Sequence, residues 1–178
     1  MGSEMCIRDR LVMNENWVLD ASPIILLGKA DLLKTASPLA KVWIIPGAVI
    51  REVEAKRPIE PYLSEISYSA EVVKENVLKI NPSIAAWDLG RGESEVLTLA
   101  LEKPGTSVAL DDLQARKCAA LFDISLIGSL GLILLAKRKG LINLAKPEIE
   151  RLKAVGLHID SGMLTRILNR IGEGDKDG

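Results

Sequence analysis

Short apolar runs alternate with segments of helical periodicity along most of the chain. Four of these runs predict buried strands, at residues 17–20, 41–45, 107–111 and 124–127. A fifth, minor strand is predicted at residues 77–80. Short buried strands that alternate with helices are typical of a parallel sheet covered on both faces. The pattern therefore predicts an α/β fold in which helices flank a central, mostly parallel sheet.

Helix signals separate the predicted strands. Ser22 followed by Pro23 favours an N-cap with proline at the first helical position. Helical periodicity and the Gly and Pro positions predict helices at residues 22–27, 31–36, 47–56, 61–75, 93–102, 112–121, 130–139, 147–155 and 161–171.

The first residues do not join any periodic pattern. Residues 4–10 read EMCIRDR and resemble a translated sequencing adapter, so residues 1–12 are expected to be a non-native or disordered leader. Residues 13–178 are expected to form a single domain that includes the C-terminal helices. The longest apolar stretch, residues 124–136, is shorter than the roughly 20 residues that span a bilayer, so it predicts buried core and no membrane partner.

Composition excludes several classes of protein. The 23 Lys and Arg residues are balanced by 24 Asp and Glu residues, and the net charge of −1 excludes binding to nucleic acid by bulk positive charge. Aromatic residues make up only 3%, which argues against an aromatic stacking platform for single strands. Cys6 and Cys118 are too few for a disulfide framework or a thiolate zinc site, so a cytoplasmic location is expected.

Acidic residues end two of the predicted strands. Asp20 ends the first strand, and Asp111 and Asp112 end the strand at 107–111. Ligands of parallel sheets bind outside the carboxyl ends of the strands, near the point where the strand order reverses. A carboxylate is costly to bury at such a place unless a cation compensates for it. Two acidic strand ends therefore indicate a shared cation.

Helix periodicity selects further acids. Glu93 heads the apolar stripe of its helix, whereas Glu95 lies on a mixed face that is expected to be wetter, at the surface or supporting the site. Glu52 shares the stripe of Val49 and Val53 in an earlier helix. Glu52 and Glu93 are therefore predicted to point inward, toward the protein.

The predicted cluster contains carboxylates without matching histidines or cysteines. Its members are Asp20, Glu52, Glu93 and one or both of Asp111 and Asp112. Oxygen ligands of this kind favour Mg²⁺ or Mn²⁺. Such an ion can activate water and stabilise the leaving oxygen when a phosphodiester is cleaved.

Four motifs in this order resemble the PIN domain: VLDASPIILL, IPGAVIREVE, LGRGESEVLTLALE and ALDDLQARKCA. The likeness is greatest to an uncharacterised bacterial and archaeal branch related to VapC-type toxins. It runs from about Trp17 to the end and includes the tail KPEIERLKAVGLHIDSGMLTRIL. The resemblance implies a PIN-like α/β/α sandwich and an endoribonuclease that depends on Mg²⁺ or Mn²⁺, of the kind found as the toxin of a toxin–antitoxin pair.

The resemblance also implies which residues act. It assigns the catalytic acids to Asp20, Glu52, Glu93 and a fourth position. Spacing favours Asp112 as the fourth acid, but a threonine common at this strand end in the family is absent here, so Asp111 stays open. Ser22 matches a small polar residue that often follows the first acid. Toxin-type members are usually neutralised by a small antitoxin and often form homodimers.

Several residues have two interpretations. Ser22 before Pro23 is more often only an N-cap than a site residue, and Asp112 could likewise be only the cap of the helix that follows it. Arg116 and Lys117, one turn past the acidic pair, could contact the RNA backbone or simply neutralise the carboxylates. At the level of function, the alternative to a ribonuclease is a catalytically inactive PIN-fold module that binds nucleic acid or acts as a scaffold.

Overall fold

The computed structural model describes residues 15–174, in which five parallel strands form one sheet. Their order across the sheet is β3-β2-β1-β4-β5. In chain order the strands are β1 (Asn16–Leu19), β2 (Val42–Pro46), β3 (Glu71–Glu75), β4 (Ser107–Ala109) and β5 (Leu126–Ile127). All the strand pairs are parallel, so the predicted parallel sheet is confirmed.

Helices flank this sheet and complete the predicted α/β/α sandwich. They are α1 (Ala21–Lys29), α2 (Leu33–Ala36), α3 (Gly47–Glu54), α4 (Glu60–Ile66), α5 (Pro82–Ala85), α6 (Arg91–Glu102), α7 (Leu113–Leu121), α8 (Ser129–Arg138), α9 (Lys146–Ala154) and α10 (Ser161–Arg170). Within residues 15–174, none of the helices has the length and apolar character needed to cross a membrane.

The central strands are buried because they are apolar on both faces. All three residues of β4 are buried, and so are Trp17, Val18 and Leu19 of β1. Trp17 pairs in register with Trp43 of β2, and their ring centroids lie 5.7 Å apart. The Trp43 indole N–H donates to the Ser37 carbonyl oxygen at 3.0 Å, which satisfies its one polar group inside the core.

The strand order reverses at β1. The chain leaves β1 for β2 on one side and later returns to β4 on the other. The Asp20 amide donates to the Ala109 carbonyl at 3.0 Å, so the pairing of the two strands continues past the end of β1. Residues that follow β1 and β4 therefore lie side by side at the carboxyl edge of the sheet, where ligands bind in such folds.

One edge of the sheet differs from the sequence prediction. Helix α4 ends at Ile66, and Glu71–Glu75 is the edge strand β3, so the predicted helix through residue 75 and the predicted strand at 77–80 are both wrong. An edge strand pairs with a neighbour on one side only and often carries charged residues. Its sequence can therefore be as polar as that of a surface helix. Leu78, inside the wrongly predicted strand, is 97% exposed.

Two helix starts also differ. Helix α1 begins at Ala21 with Asp20 at the N-cap position, so the prediction of Ser22 as the N-cap is wrong. Ser22 instead lies exposed in the first turn. Helix α6 begins at Arg91, with Gly90 as N-cap, and Glu93 is its third residue.

The predicted leader, residues 1–12, lies outside the described residues, and the single domain 13–178 stays a prediction.

Glu173, which follows α10, links the end of the described chain to helices α8 and α9. Its carboxylate accepts hydrogen bonds from the amides of Ala145 and Lys146, at 2.8 and 2.7 Å, where α9 begins. It also forms an ion pair with Lys137 of α8. Burial alone would raise the pKa of Glu173, but the Lys137 ammonium and the two amides together lower it below its usual value.

Glu173→Gln is expected to lower the melting temperature at pH 7 by several degrees, because it removes a charged acceptor from two amides and an ammonium. A carboxyl with a lowered pKa stabilises the fold above its unfolded pKa and loses this effect as the pH falls. In thermal melts, the difference in melting temperature between Glu173→Gln and wild type should therefore become smaller toward pH 3. Glu150→Gln, which removes an exposed acid paired with Lys153, is the control and should change little. Equal effects of the two variants would contradict the assignment.

Candidate active site

Asp20 is a deeply buried acid at the carboxyl edge of the sheet. Its side chain follows β1 directly, and the residue is only 2% exposed. Its Oδ1 atom is buried without a hydrogen-bond partner. Buried carboxylate oxygens are normally paired, because a lone buried charge is strongly unfavourable. Asp20 therefore presents an oxygen atom that has no partner within the fold.

The surroundings of Asp20 raise its pKa to about 7. Burial is the largest cause, followed by the negative charge of Glu93, with smaller contributions from Glu52 and Asp111. The Ala21 amide acts in the opposite direction by hydrogen bonding to the carboxylate. Three acids thus act on Asp20 electrostatically: Glu52 and Glu93, which the sequence predicts near it, and Asp111, one of the two residues that the sequence leaves open.

Glu52 approaches Asp20 over Gly92 of α6. A Cβ atom at Gly92 would lie 3.1 Å from Glu52 Oε2 and 3.5 Å from Asp20 Oδ1. The missing side chain therefore leaves a space into which both carboxylates point. Glu52 is half-buried, and its other oxygen pairs with Lys56 at 3.1 Å.

Glu93 lies in the first turn of α6, where its carboxylate folds back over Gly90. A Cβ atom at Gly90 would lie 2.3 Å from Glu93 Oε2, closer than any real contact. An acid at this position is favoured by the free amides and the positive end of a helix. Glu93 is half-buried and contributes the strongest charge effect on Asp20.

Asp111 follows β4 and is held by the start of α8. Its Oδ1 accepts from the Ser129 amide at 2.7 Å, and its Oδ2 accepts from the Ser129 hydroxyl at 2.6 Å. Sequence reasoning missed this role of Ser129. The available signal was Gly128-Ser129 directly after a strand, a combination typical of a helix start.

Asp112 occupies a different position from Asp111. It is exposed, and its Oδ1 accepts from the Ala115 amide at 2.8 Å, so it caps α7. Asp111, and not Asp112, contributes to the raised pKa of Asp20. Of the two residues left open by the sequence, the structure brings Asp111 into the cluster.

Glu95 was expected to lie on a wetter face, and this expectation is wrong. Its side chain is only 2% exposed. Oε2 accepts from the Ala48 amide at 2.8 Å, and Oε1 accepts from Arg91 Nε at 2.8 Å, with Arg51 Nη2 at 3.8 Å. Glu95 therefore caps the start of α3 and joins it to α6. These are the helices that carry Glu52 and Glu93.

The remaining candidates lie around this cluster. Arg116 is half-buried, and both its Nη1 and Asp111 Oδ1 would lie 2.9 Å from a Cβ atom at Gly128. Lys117 is exposed on the surface of α7. Ser22 is exposed and lines a groove next to Asp111.

The acids form a loose cluster. Among residues 15–174, no three His, Cys, Asp or Glu side chains stand close enough to form a ready-made metal site. Glu52 and Asp111 are instead turned partly toward Lys56 and Ser129. The donor set still fits a hard divalent cation, because it is made of carboxylate oxygens and includes the unpartnered Asp20 Oδ1.

Comparisons with known proteins agree with the motifs. A family model for the PIN domain matches residues 16–173. The fold is similar to that of a PilT N-terminus domain protein from the hyperthermophilic archaeon Sulfolobus solfataricus P2, with 15% identity and a TM-score of 0.44 over 82% of this chain and 97% of that one. No curated protein matches the chain. PIN domains are generally nucleases, and they typically bind divalent metals. Because the family model matches most of the chain, the protein belongs to the PIN domain family.

Proposed function

We propose that the protein is an endoribonuclease that hydrolyses RNA phosphodiester bonds with the help of Mg²⁺ or Mn²⁺. One observation carries this proposal: a buried, unpartnered carboxylate oxygen of Asp20 faces a space shared with other acids. The raised pKa of Asp20 supports it, since clustered carboxylates hold their charge more easily when a cation joins them. Membership in a family of nucleases supplies the reaction class.

The acids would share the work of holding the ion. Asp20, Glu52, Glu93 and Asp111 would bind it, and Asp112 stays outside this set because it caps α7. The ion supplies an activated water and charge stabilisation when it is bound. The Ser129 amide and hydroxyl keep both oxygens of Asp111 oriented, and Glu95 fixes the helices of Glu52 and Glu93. Arg116, whose Nη1 lies near Asp111 Oδ1 at Gly128, would bind a phosphate of the RNA backbone.

The biological role proposed here follows from the likeness to toxin-type PIN proteins. The protein would act in the cytoplasm as the toxin of a pair, a small antitoxin protein would neutralise it, and two copies would form a homodimer. The alternative, an inactive PIN-fold module, is disfavoured because each of the four positions that the resemblance assigns to a catalytic acid carries Asp or Glu in this chain.

Cleavage of single-stranded RNA should require Mn²⁺ or Mg²⁺ and stop when EDTA is added. Asp111→Asn should lower the rate by about 100-fold or more, because it removes a charge from the cluster. Asp112→Asn should remain active, because asparagine is an equally good N-cap. The measurement is the initial rate of cleavage of a labelled RNA by the two variants and the wild type at saturating Mn²⁺.

Two results would contradict the proposal. Full activity in EDTA would exclude the metal-dependent mechanism, and no cleavage by the wild type with either metal would favour the inactive module. If Asp112→Asn is the inactive variant, the fourth acid must be reassigned. The melting temperatures of both variants in EDTA should not fall below that of wild type, which keeps a folding defect separate from a loss of catalysis.

A further inference from the structure

A groove of about 600 Å³ begins at the candidate active site and extends to the last helix. Asp111, Arg116 and Ser22 line the end of the groove that lies at the acids. Its apolar walls come from several elements, through Leu26, Ile127, Leu134, Met163 and Ile167. His158 and Asp160, in the segment before α10, supply further polar groups. The groove therefore combines charge at the site with apolar surface beyond it.

Gly128 keeps the charged end of this groove open. A Cβ atom at this position would lie 2.9 Å from Asp111 Oδ1 and 2.9 Å from Arg116 Nη1. The Asp111 carboxylate and the Arg116 guanidinium group therefore both border the space that a side chain at Gly128 would fill. Guanidinium groups bind phosphate through two parallel hydrogen bonds, and Arg116 is the one Lys or Arg residue among those that line the groove.

We propose that this groove binds the nucleotide next to the scissile phosphodiester. The proposal rests on the proposed function, because it extends the same site toward its substrate. Arg116 would bind the phosphate that joins this nucleotide to the cleaved bond. The flat faces of the base would pack against the aliphatic walls, as bases do in apolar enzyme pockets. His158 would then be available to hydrogen bond to the base edge or the ribose, whereas Asp160 caps α10 by accepting from the Met163 amide at 2.9 Å and would offer only its other oxygen.

The lining matches a nucleotide better than a purely apolar ligand. An apolar ligand would cover Arg116 and Asp111 without offering them partners, which is unfavourable. A nucleotide has an anionic phosphate for the charged end and a base with apolar faces for the walls. The volume also lies within the range of pockets that hold small ligands. Because the chain has few aromatic residues, aliphatic side chains such as Met163 take the place of a stacking ring.

A second cavity does not compete for this role. It measures about 420 Å³ and is lined by Thr106 and Ser125, the residues just before β4 and β5. It therefore lies at the amino edge of the sheet, away from Asp20, and no Lys or Arg side chain lines it. Of these two cavities, the groove at the carboxyl edge is the one that joins an apolar surface to the acid cluster, through Asp111.

Binding of labelled RNA in EDTA tests the proposal without any cleavage. The probes are four fluorescein-labelled single-stranded homohexanucleotides, and the readout is fluorescence anisotropy with the full-length protein. Met163→Ala should weaken binding several-fold, and Met163→Glu should weaken it about tenfold or more, because base contacts of this kind have large effects. Leu141→Glu is the matched control, since Leu141 is similarly exposed (40%, against 46% for Met163) but lies outside the groove. It adds the same charge and should stay within about twofold of wild type.

The outcomes separate this inference from the proposed function. Three results would each overturn the groove as a nucleotide site. The first is equal binding of RNA by wild type and both Met163 variants, and the second is an equal loss of binding in Met163→Glu and Leu141→Glu. The third is that wild type binds none of the hexanucleotides. If the Met163 variants lose binding but the wild type cleaves no RNA with Mn²⁺, the proposed function fails while the groove still binds RNA. If cleavage occurs and the Met163 variants bind normally, the groove inference alone is overturned.

Discussion

Asp20→Asn is expected to abolish RNA cleavage and to stabilise the metal-free protein at the same time. Asparagine has nearly the same shape but no charge, so the variant loses a metal ligand without leaving a cavity. In the metal-free protein the wild-type carboxylate is buried beside Glu93, Glu52 and Asp111, which makes its charge unfavourable. Removing that charge relieves the repulsion. Loss of activity combined with a higher melting temperature separates this variant from one that is simply misfolded.

The stabilisation should depend on pH in a defined direction. A carboxyl whose folded pKa is raised contributes stability that is fully present below its unfolded pKa and lost as the pH rises through the folded pKa. For Asp20 these values are 3.8 and about 7. The wild-type protein should therefore lose stability between pH 4 and pH 8, by at most about 4 kcal/mol, since each pKa unit corresponds to about 1.4 kcal/mol. Asp20→Asn should lack this loss.

Thermal melts in EDTA at pH 5 and pH 8 measure this effect. Asp20→Asn should melt several degrees above wild type at pH 8 and much closer to it at pH 5. Mn²⁺ at pH 8 should raise the melting temperature of wild type more than that of the variant, because a ligand stabilises the state that binds it. A variant that melts like wild type at both pH values would contradict the acid cluster. A variant that cleaves RNA normally would contradict the proposed function.

The central part of the fold could be predicted from the sequence because its strands are buried on both faces. Runs such as Trp17–Leu19 are apolar throughout, which no surface element reproduces. The edge strand β3 could not be found in this way, because its charged residues, Glu71, Lys74 and Glu75, stand at i, i+3 and i+4, the spacing of one face of a surface helix. Parallel pairing with β2, not local preference, decides the conformation of Glu71–Glu75. Tertiary contacts of this kind leave little trace in the sequence.

The sequence could predict which acids lie near one another only where strand ends and helix periodicity fix their positions. Asp20 and Asp111 follow neighbouring strands, and any parallel sheet brings such residues together. The choice between Asp111 and Asp112 depends on which carboxylate caps α7 and which meets Ser129, and both sit at suitable positions in the sequence. Helix phase separated Glu93 from Glu95, but it made Glu95 the wetter of the two and could not show what lies opposite it, where Glu95 is only 2% exposed. That neighbour is the start of α3, with Arg51 and Arg91 beside it.

Glu93 and Glu95 should therefore give opposite results when each is replaced by glutamine. The two residues are about 200° apart around α6, so they face different neighbours. Glu93 lies at the acid cluster, and Glu93→Gln should lower the cleavage rate by about 100-fold or more while removing repulsion from Asp20. Its melting temperature in EDTA should stay the same or rise.

Glu95→Gln should instead act mainly on stability. The amide can still accept from Ala48 but loses its charge toward Arg91 and Arg51, which should cost about 1–3 kcal/mol. Both arginines are more than half exposed and can turn to water, so the lower part of this range is expected. Cleavage at saturating Mn²⁺ should fall only several-fold, through less firm placement of Glu52 and Glu93.

Paired measurements of melting temperature and initial rate decide between the two roles. We expect Glu93→Gln to be folded and inactive, and Glu95→Gln to be active and less stable. If Glu95→Gln keeps its melting temperature but cleaves no RNA, while Glu93→Gln cleaves normally, Glu95 is the third acid of the cluster. Its contacts with Ala48 and Arg91 would then have to open before the metal binds.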